Sequence, residues 1–179
     1  FPRNIQSLAT DQKNLYIGMK DEVGCYSFAT SDYQVISHPE FFYISTLMLD
    51  SSENTLWIGN ARHLHRMNLD TKEIERVRDF YVVKSIAKDD NNLLIGTDNG
   101  LYVCDRQGTW HLISHDARNS QSLSSNVVNM FFKDANGNIW IGTDNGISLA
   151  THNPSVQSRS LFDITGSDEG CQISSIQRT

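Results

Sequence analysis

The chain has 179 residues, of which 39% are hydrophobic, and it carries a net charge of −6 at pH 7. This length suffices for one sizeable globular unit with a hydrophobic core. The acidic balance argues against binding to the phosphate backbone of nucleic acid, which would need clustered Lys and Arg. No apolar run reaches the roughly 18 residues of a membrane-spanning helix, so we expect no membrane contact by these residues.

Neither the chain termini nor the cysteines identify the cellular compartment of the protein. The chain does not begin with Met and lacks a charged and then apolar N-terminal segment, so we interpret it as an excised piece of a longer protein. The cysteines Cys25, Cys104 and Cys171 are odd in number and form no C-x-x-C pair. This number and spacing argue against a disulfide framework. They indicate that the cysteines serve as small, buried hydrophobic residues.

A short apolar segment that ends in Ile-Gly recurs four times along the chain. The four copies lie at residues 15–18, 56–59, 93–96 and 139–142. Their glycines are 41, 37 and 46 residues apart. A repeat of about 40 residues that carries strand-like segments is typical of propeller blades, whereas repeats of helix pairs would need a helical periodicity.

Each repeat is predicted to contain four strands. The first strands are predicted at 5–9, 46–49, 83–87 and 127–132, and each leads into an aspartate: Asp11, Asp50, Asp89 or Asp134. The Ile-Gly segment is the second strand; both its faces are apolar, as in a strand packed between blades, and its glycine permits close approach. The third strands are predicted at 25–28, 64–67, 101–104 and 147–150, and the fourth at 33–36, 74–77, 110–113 and 160–164.

The sequence therefore predicts an all-β fold, a β-propeller fragment that forms a single partial domain over 1–179. The blades are predicted at about 4–37, 44–79, 82–114 and 126–165, with the first strand of a fifth at 171–177. The residues that define the repeat are Gly18, Trp57, Gly59, Gly96, Gly100, Trp140, Gly142 and Gly146. We expect an open arc whose end blades expose apolar surface, and hence self-association.

The fourth repeat resembles a known family. Residues 122–128 read Ser-Leu-Ser-Ser-Asn-Val-Val, and residues 134–147 read Asp-Ala-Asn-Gly-Asn-Ile-Trp-Ile-Gly-Thr-Asp-Asn-Gly-Ile. This pattern is similar to the two-component regulator propeller repeat. The third repeat keeps Asp89 and Gly100 but has Leu94 where Trp is usual, and the first two repeats keep mainly the Ile-Gly segment.

The resemblance implies the periplasmic sensor region of a large hybrid histidine kinase of the Bacteroidetes type. In that family two propellers precede an immunoglobulin-like domain, a membrane helix, a kinase core and often a DNA-binding domain. Many members are linked to glycan-use gene clusters. The resemblance thus implies a non-catalytic sensor for an oligosaccharide ligand in a phosphorelay that regulates transcription. Its partners would be the remaining blades and the C-terminal sensor domain of an inner-membrane parent protein.

Two other classes of function stay open. A structural or protein-docking propeller module would need no small-molecule ligand. An enzyme built on the propeller would need a set of acid, base and nucleophile that the sequence does not offer. Ser85 and Lys88 match a Ser-x-x-Lys motif, but on a predicted strand they face opposite sides. We therefore expect no enzymatic activity and no cofactor in this piece of the parent.

Loops between blades offer the best candidates for a ligand site. In propellers, the connections between blades and the turns after the second strands line one mouth of the channel, which groups His38 with aromatic and charged loop residues. The candidate ligand-binding residues are Phe41, Phe42, Tyr43, Arg62, His115, Asp116 and Arg118. Aromatic faces suit sugar rings, and Arg supplies forked donors for hydroxyls or acids. Alternatively, the three aromatic residues pack between blades.

One histidine pair has a spacing that can hold a metal ion. His63 and His65 share one face of a predicted strand. No carboxylate or cysteine completes a ligand set nearby in sequence, and Arg62 and Arg66 add positive charge. We therefore expect a solvated outer strand at this position and no metal site.

Overall fold

The computed structural model describes residues 4–119, 121–150 and, for the backbone alone, 156–159. Within this part of the chain all sixteen regular elements are β-strands, which form four sheets of four strands. None of the described residues forms a helix that is long and apolar enough to span a membrane. The predicted all-β architecture of four-stranded repeats is confirmed.

Each sheet is a meander in which every strand neighbours the next along the chain. The first sheet contains β1 (Ser7–Thr10), β2 (Asn14–Gly18), β3 (Glu22–Ser27) and β4 (Tyr33–Ser37). The second contains β5 (Thr46–Asp50), β6 (Thr55–Gly59), β7 (His63–Asn68) and β8 (Ile74–Asp79). The third contains β9 (Val83–Asp89), β10 (Asn92–Thr97), β11 (Gly100–Cys104) and β12 (Trp110–Ile113). The fourth contains β13 (Val128–Lys133), β14 (Ile139–Thr143), β15 (Gly146–Ala150) and β16 (Val156–Arg159).

The chain divides into two compact units, Phe1–Ile86 and Ala87–Thr179. The buried core of the first unit consists of Tyr16, Val23, Phe41, Ile44, Leu47, Leu56, Ile58 and Met67. The core of the second unit consists of Leu94, Leu101, Leu123, Val128, Ile139 and Ile141. In each unit, consecutive sheets thus bury apolar side chains against one another, as neighbouring blades do. The blade boundaries and the single-domain organisation stay predictions.

The last predicted strand needs a correction. The strand that pairs with β15 is β16, which ends one residue before the predicted segment at 160–164. Its register joins Ala150 to Val156 and Ile147 to Arg159, so a short return from β15 fixes its position. The apolar residues at 160–164 favour that later segment, so the sequence pattern places the strand too late in the chain. Residues 160–164 and the predicted fifth-blade strand at 171–177 lie outside the described residues.

The second strands of the second and third sheets are buried on both faces, as predicted, whereas Leu15 and Ile17 of β2 are only partly buried. All five residues of β6 are buried, and so are the last five of β10. The glycine at the end of this strand leaves room for the side chains of the following segment. An added Cβ on Gly59 would lie 2.4 Å from Val83 Cγ1 and 2.7 Å from Thr46 Cγ2. At Gly18 it would lie 3.1 Å from Ile44 Cγ2, which is tight but less severe.

The turns between first and second strands are held by the aspartates that the repeat places there. The carboxylates of Asp11, Asp50 and Asp134 each accept backbone N–H groups of the turn that follows. Asp89 instead binds Lys133 Nζ at 2.8 Å. Such bonds satisfy turn donors that the strand ladder leaves free.

Asp134 has the fullest set of these bonds. Its Oδ1 accepts the backbone N–H groups of Asn136 at 2.8 Å and Asn138 at 3.0 Å. Its Oδ2 accepts Asn138 Nδ2 at 2.9 Å and the indole Nε1–H of Trp140 at 3.0 Å. The side-chain hydrogen bonds of Asn138 and Trp140 lower the pKa of Asp134 to about 2. Trp140, which is half-buried, therefore closes its own hairpin through the indole N–H.

The turn after the second strand reads Thr-Asp-Asn-Gly in the third and fourth repeats, and its threonine holds it closed. Thr97 Oγ1 donates to the carbonyl of Gly100 at 2.9 Å, and Thr143 Oγ1 donates to that of Gly146 at 3.0 Å. Gly100 and Gly146 have φ of +116° and +121°, a region that favours glycine. Turn geometry therefore accounts for both the Thr and the Gly of this motif.

The first sheet leaves one apolar face open. Leu8, Ile17 and Val35 lie in one row across this sheet, in register through Gly24. Leu8 is 57% exposed and Val35 is 45% exposed. The predicted exposure of apolar surface at an end blade is thus confirmed for the first sheet.

The cysteines differ from the prediction. Cys25 and Cys104 are free thiols that are half-buried rather than fully buried. Both lie on third strands, which have one side less fully covered than the second strands. Cys171 lies outside the described residues.

We expect Gly59→Ala to destabilise the chain more than Gly18→Ala does. The methyl group on Gly59 overlaps Val83 and Thr46, so the free energy of unfolding should fall by roughly 1–3 kcal/mol. Urea unfolding followed by circular dichroism measures both variants. Equal losses at the two glycines would contradict this account of their role.

We expect Asp134→Asn to flatten the acid dependence of stability. Because the pKa of Asp134 is about 2 in the folded chain, below its ordinary 3.8, the carboxylate stabilises the fold above about pH 4. This contribution is lost as the pH falls towards 2. Thermal unfolding at pH 6, 4 and 2.5 should show a smaller pH dependence in Asp134→Asn than in the exposed control Asp32→Asn. Matching profiles for the two variants would refute the assignment.

Candidate functional site

The candidate site in the first unit is built on residues 38–45, the connection from β4 to β5. Backbone hydrogen bonds tie this connection to the turns after two second strands. Ile44 N–H donates to the carbonyl of Lys20 at 2.9 Å, and Ala61 N–H donates to that of Phe42 at 3.2 Å. The predicted proximity of this connection to the turn at Arg62 is therefore present in the structure.

Phe42 and Tyr43 form an exposed aromatic pair, which we call the aromatic ridge. Their rings meet edge to face with centroids 5.1 Å apart, and they are 43% and 52% exposed. Each ring has a cation over it: the Arg62 guanidinium lies 5.1 Å from the Phe42 centroid, and Lys20 Nζ lies 5.2 Å from the Tyr43 centroid. These contacts orient both rings while leaving much of their surface open.

The backbone at Tyr43 is held in a sparsely populated conformation. Its φ is +51°, a left-handed value that is uncommon for an aromatic residue. The Ile44 hydrogen bond to Lys20 fixes the connection immediately after it. Strain of this kind persists only where the surroundings impose it, and it is concentrated at functional sites.

A cleft of about 510 Å³ opens beside the ridge. Its lining residues are Asn4, Gln6, Met19, Lys20, Asp21, Glu22 and Tyr43. Two amides, a cation, two carboxylates and a phenol ring thus converge on one concave surface. Such a surface can donate and accept hydrogen bonds to a polyhydroxylated molecule while a ring packs on Tyr43.

Phe41 does not take part in this surface. It is only 5% exposed and belongs to the core of the first unit. Its ring packs against those of His38 and His65, with centroids 5.4 and 5.6 Å away. The alternative interpretation, in which these aromatic residues pack in the interior, thus describes Phe41, whereas Phe42 and Tyr43 face solvent.

The other candidates, His115, Asp116 and Arg118, lie together in the second unit and are exposed. Asp116 Oδ1 accepts the backbone N–H of Arg118 at 3.0 Å, and His115 Nδ1 donates to the carbonyl of Leu123 at 2.6 Å. These bonds hold the loop that leads to β13. The structure therefore groups the candidates in two sets, one in each unit.

The prediction of a solvated strand at the histidine pair is wrong for His65. This side chain is fully buried, and its Nε2 lies 3.2 Å from Glu40 Oε2. His63 is half-buried and pairs with Asp79 at 3.0 Å. The carboxylate beside His65 comes from the β4–β5 connection, 25 residues earlier, so the local sequence around the pair could not reveal it.

Sequence reasoning also missed Lys20 and Asp21. They occupy the turn after β2, the position that Arg62 occupies after β6. The rule that selected Arg62, applied to the first repeat, would have selected them.

Comparisons with known proteins agree with this architecture. Residues 122–145 match the family model described as two component regulator propeller. No curated protein matches the chain.

Among solved structures, the chain is similar to the extracellular domain of BT4673 from B. thetaiotaomicron, a proposed hybrid two component system. The identity is 34%, the match covers 86% of this chain and 22% of that one, and the TM-score is 0.77. A second structure of the BT4673 extracellular domain also gives 34% identity and a TM-score of 0.77 over 84% of this chain and 22% of that one.

A more distant neighbour supports the fold alone. The extracellular domain of BT3049 from B. thetaiotaomicron, also a proposed hybrid two component system, is 20% identical with a TM-score of 0.73. That match covers 88% of this chain and 24% of that one. The chain thus spans about a fifth of the length of the extracellular domains that it matches. The predicted resemblance is confirmed: residues 122–145 carry the two-component regulator propeller repeat, and the chain has the fold of part of an extracellular domain from a proposed hybrid two component system.

Proposed function

We propose that this chain is part of the sensor region of a two-component signal-transduction protein and binds a glycan-derived ligand at the aromatic ridge. The observation that carries the proposal is the exposed ridge, with a cation over each ring, beside the polar cleft at Tyr43. The similarity to extracellular domains of hybrid two component systems supports the sensor role.

The chemistry of the ridge suits a sugar. The C–H face of a pyranose ring packs well on an aromatic face, and such packing releases water from both surfaces. Lys20 and Arg62 can bind hydroxyl or carboxylate oxygens, while Asp21 and Glu22 can accept hydroxyl hydrogens. The site binds and does not cleave, so we assign no reaction to this chain.

We further propose where the parent protein acts. The chain would lie in the periplasm as part of an inner-membrane histidine kinase, which passes the signal through a phosphorelay to transcription. The remaining blades and the C-terminal sensor domain of the parent would be its partners. The open apolar face of the first sheet, which contains Leu8 and Val35, is suited to cover by a further blade.

A second candidate function is a structural or protein-docking module without a small-molecule ligand. The observation in its favour is the same open face, because an exposed apolar sheet surface is suited to a protein partner. The two candidate functions differ at the aromatic ridge, because only the ligand-binding sensor requires it.

We expect an oligosaccharide to raise the melting temperature of the chain, because ligand binding to the folded state stabilises it. At 100 times the Kd the gain is about 2.7 kcal/mol. A thermal-shift panel of neutral and uronic-acid oligosaccharides, run on the chain and on its complete ectodomain, identifies the ligand. Calorimetric titration should then show at least tenfold weaker binding for Tyr43→Ala and Arg62→Gln.

The matched control is Phe28→Ala, which removes an aromatic ring that is 50% exposed at the other end of the first sheet, where the Phe28 N–H donates to the carbonyl of Lys13. This variant should bind like the unmodified chain. No thermal shift across the panel, together with capture of a protein partner by the ectodomain, would favour the docking module instead.

We expect the chain to self-associate at high concentration through the open face of the first sheet. Introducing charge with Leu8→Lys or Val35→Lys should shift the sedimentation profile towards monomer without changing the circular dichroism spectrum. The exposed but polar Gln34 supplies the control Gln34→Lys, which lies on the opposite face of β4. A monomeric unmodified chain at high concentration in analytical ultracentrifugation would contradict the expectation.

A further inference from the structure

Three side chains in the first unit form a cluster that the ligand site does not use. His38 follows β4, Glu40 lies two residues later in the connection, and His65 lies on β7. One potential ligand atom from each lies within 4.8 Å of the other two. We propose that His38, Glu40 and His65 form a binding site for a divalent transition-metal ion, with Zn²⁺ as its preferred occupant.

The distances fit a single ion. His65 Nε2 and Glu40 Oε2 are 3.2 Å apart. This separation is close to the roughly 3.3 Å between two ligand atoms of a tetrahedral zinc ion with bonds of about 2 Å. The His38 nitrogen lies within 4.8 Å of the other two ligand atoms, so this side chain moves towards them when a metal ion binds. The Glu40 backbone N–H bond to His38 Nδ1 is 3.3 Å long, so its loss on metal binding costs little.

His65 offers its Nε2 to the cluster. The side chain is fully buried, and among the described residues its Nδ1 has no hydrogen-bond partner. The Glu40 carboxylate accepts a hydrogen bond from Nε2–H, so a metal ion on Nε2 would replace this bond and leave the proton of the neutral ring on Nδ1. Burial lowers the pKa of His65, and the hydrogen bond to Glu40 opposes this effect.

The surroundings hold the carboxylate in place. Arg76 Nη1 binds Glu40 Oε1 at 3.2 Å, so the other oxygen, Oε2, faces His65. Arg76 also lies 3.7 Å from Asp79, whose charge offsets that of the guanidinium. The buried Asn60 donates through Nδ2 to the Glu40 carbonyl at 3.0 Å and fixes the backbone. Such neighbours orient ligands in metal sites.

The ligand set selects the class of ion. Two imidazoles and one carboxylate suit Zn²⁺ and similar transition metals, whereas Mg²⁺ and Ca²⁺ prefer oxygen ligands alone. The side chain of Glu40 is 35% exposed, so solvent can reach the site and supply a fourth ligand. A bound ion would cross-link β7 to the connection that carries the aromatic ridge.

Isothermal titration of the metal-free chain with ZnCl₂ at pH 7.4 tests the proposal, with melting temperature as a second readout. We expect saturable binding of one ion, a higher melting temperature that EDTA reverses, and no response to MgCl₂ or CaCl₂. Affinity should fall as the pH is lowered, because protons compete with the metal ion for the imidazole nitrogens.

The decisive variants are His38→Ala and Glu40→Gln, because both side chains are partly exposed and their loss leaves the core intact. Each should weaken zinc binding at least tenfold while keeping the circular dichroism spectrum of the unmodified chain. His63→Gln, which removes the neighbouring histidine outside the ligand set, should bind zinc normally. Absence of one-to-one zinc binding, or unchanged binding in both decisive variants, would overturn the proposal. Neither result would affect the proposed glycan site.

Discussion

The close packing of consecutive sheets within each unit is the constraint on which the rest of the structure depends. In the first unit, Gly59 ends a fully buried strand and has no Cβ, so Val83 and Thr46 can occupy the space beside it. Gly18 has the same role at the end of β2, where Ile44 and Leu47 lie beside it and join the core with Tyr16 and Ile58. Since burial of apolar surface supplies most of the driving force for folding, a larger residue at either glycine would weaken the unit.

This packing also determines where polar chemistry can lie. The connection from β4 to β5 must cross from one packed sheet to the next, and Phe41 and Ile44 secure it to the core. Phe42 and Tyr43, between these two anchors, have no room inside and project into solvent. The same crossing carries His38 and Glu40 to His65 on β7. One short segment thus anchors the sheets, presents the aromatic ridge and brings His38 and Glu40 to the buried His65.

The sequence predicts the elements of this fold well because their determinants are local. The Ile-Gly strands, the aspartates that cap the turns and the Thr-Asp-Asn-Gly turns are each set by residues within a few positions. The position of β16 depends instead on its return from β15, and the burial of His65 depends on Glu40, 25 residues away. Contacts between distant segments are not visible in local sequence patterns. The sequence around the histidine pair, taken alone, therefore predicts a solvated strand.

Under the proposed function, a sensor must convert ligand binding into a difference between states, and the ridge is placed to do so. A ligand alters an equilibrium only when it binds two states unequally. The connection that carries the ridge is bonded through its backbone to two turns: Ile44, next to Tyr43, binds the turn after β2, and Phe42 binds the turn after β6. A ligand that spans Tyr43 and Phe42 therefore favours the arrangement in which both turns hold the connection in place. Any state of the parent protein that separates the first two sheets would lose these contacts and bind the ligand more weakly.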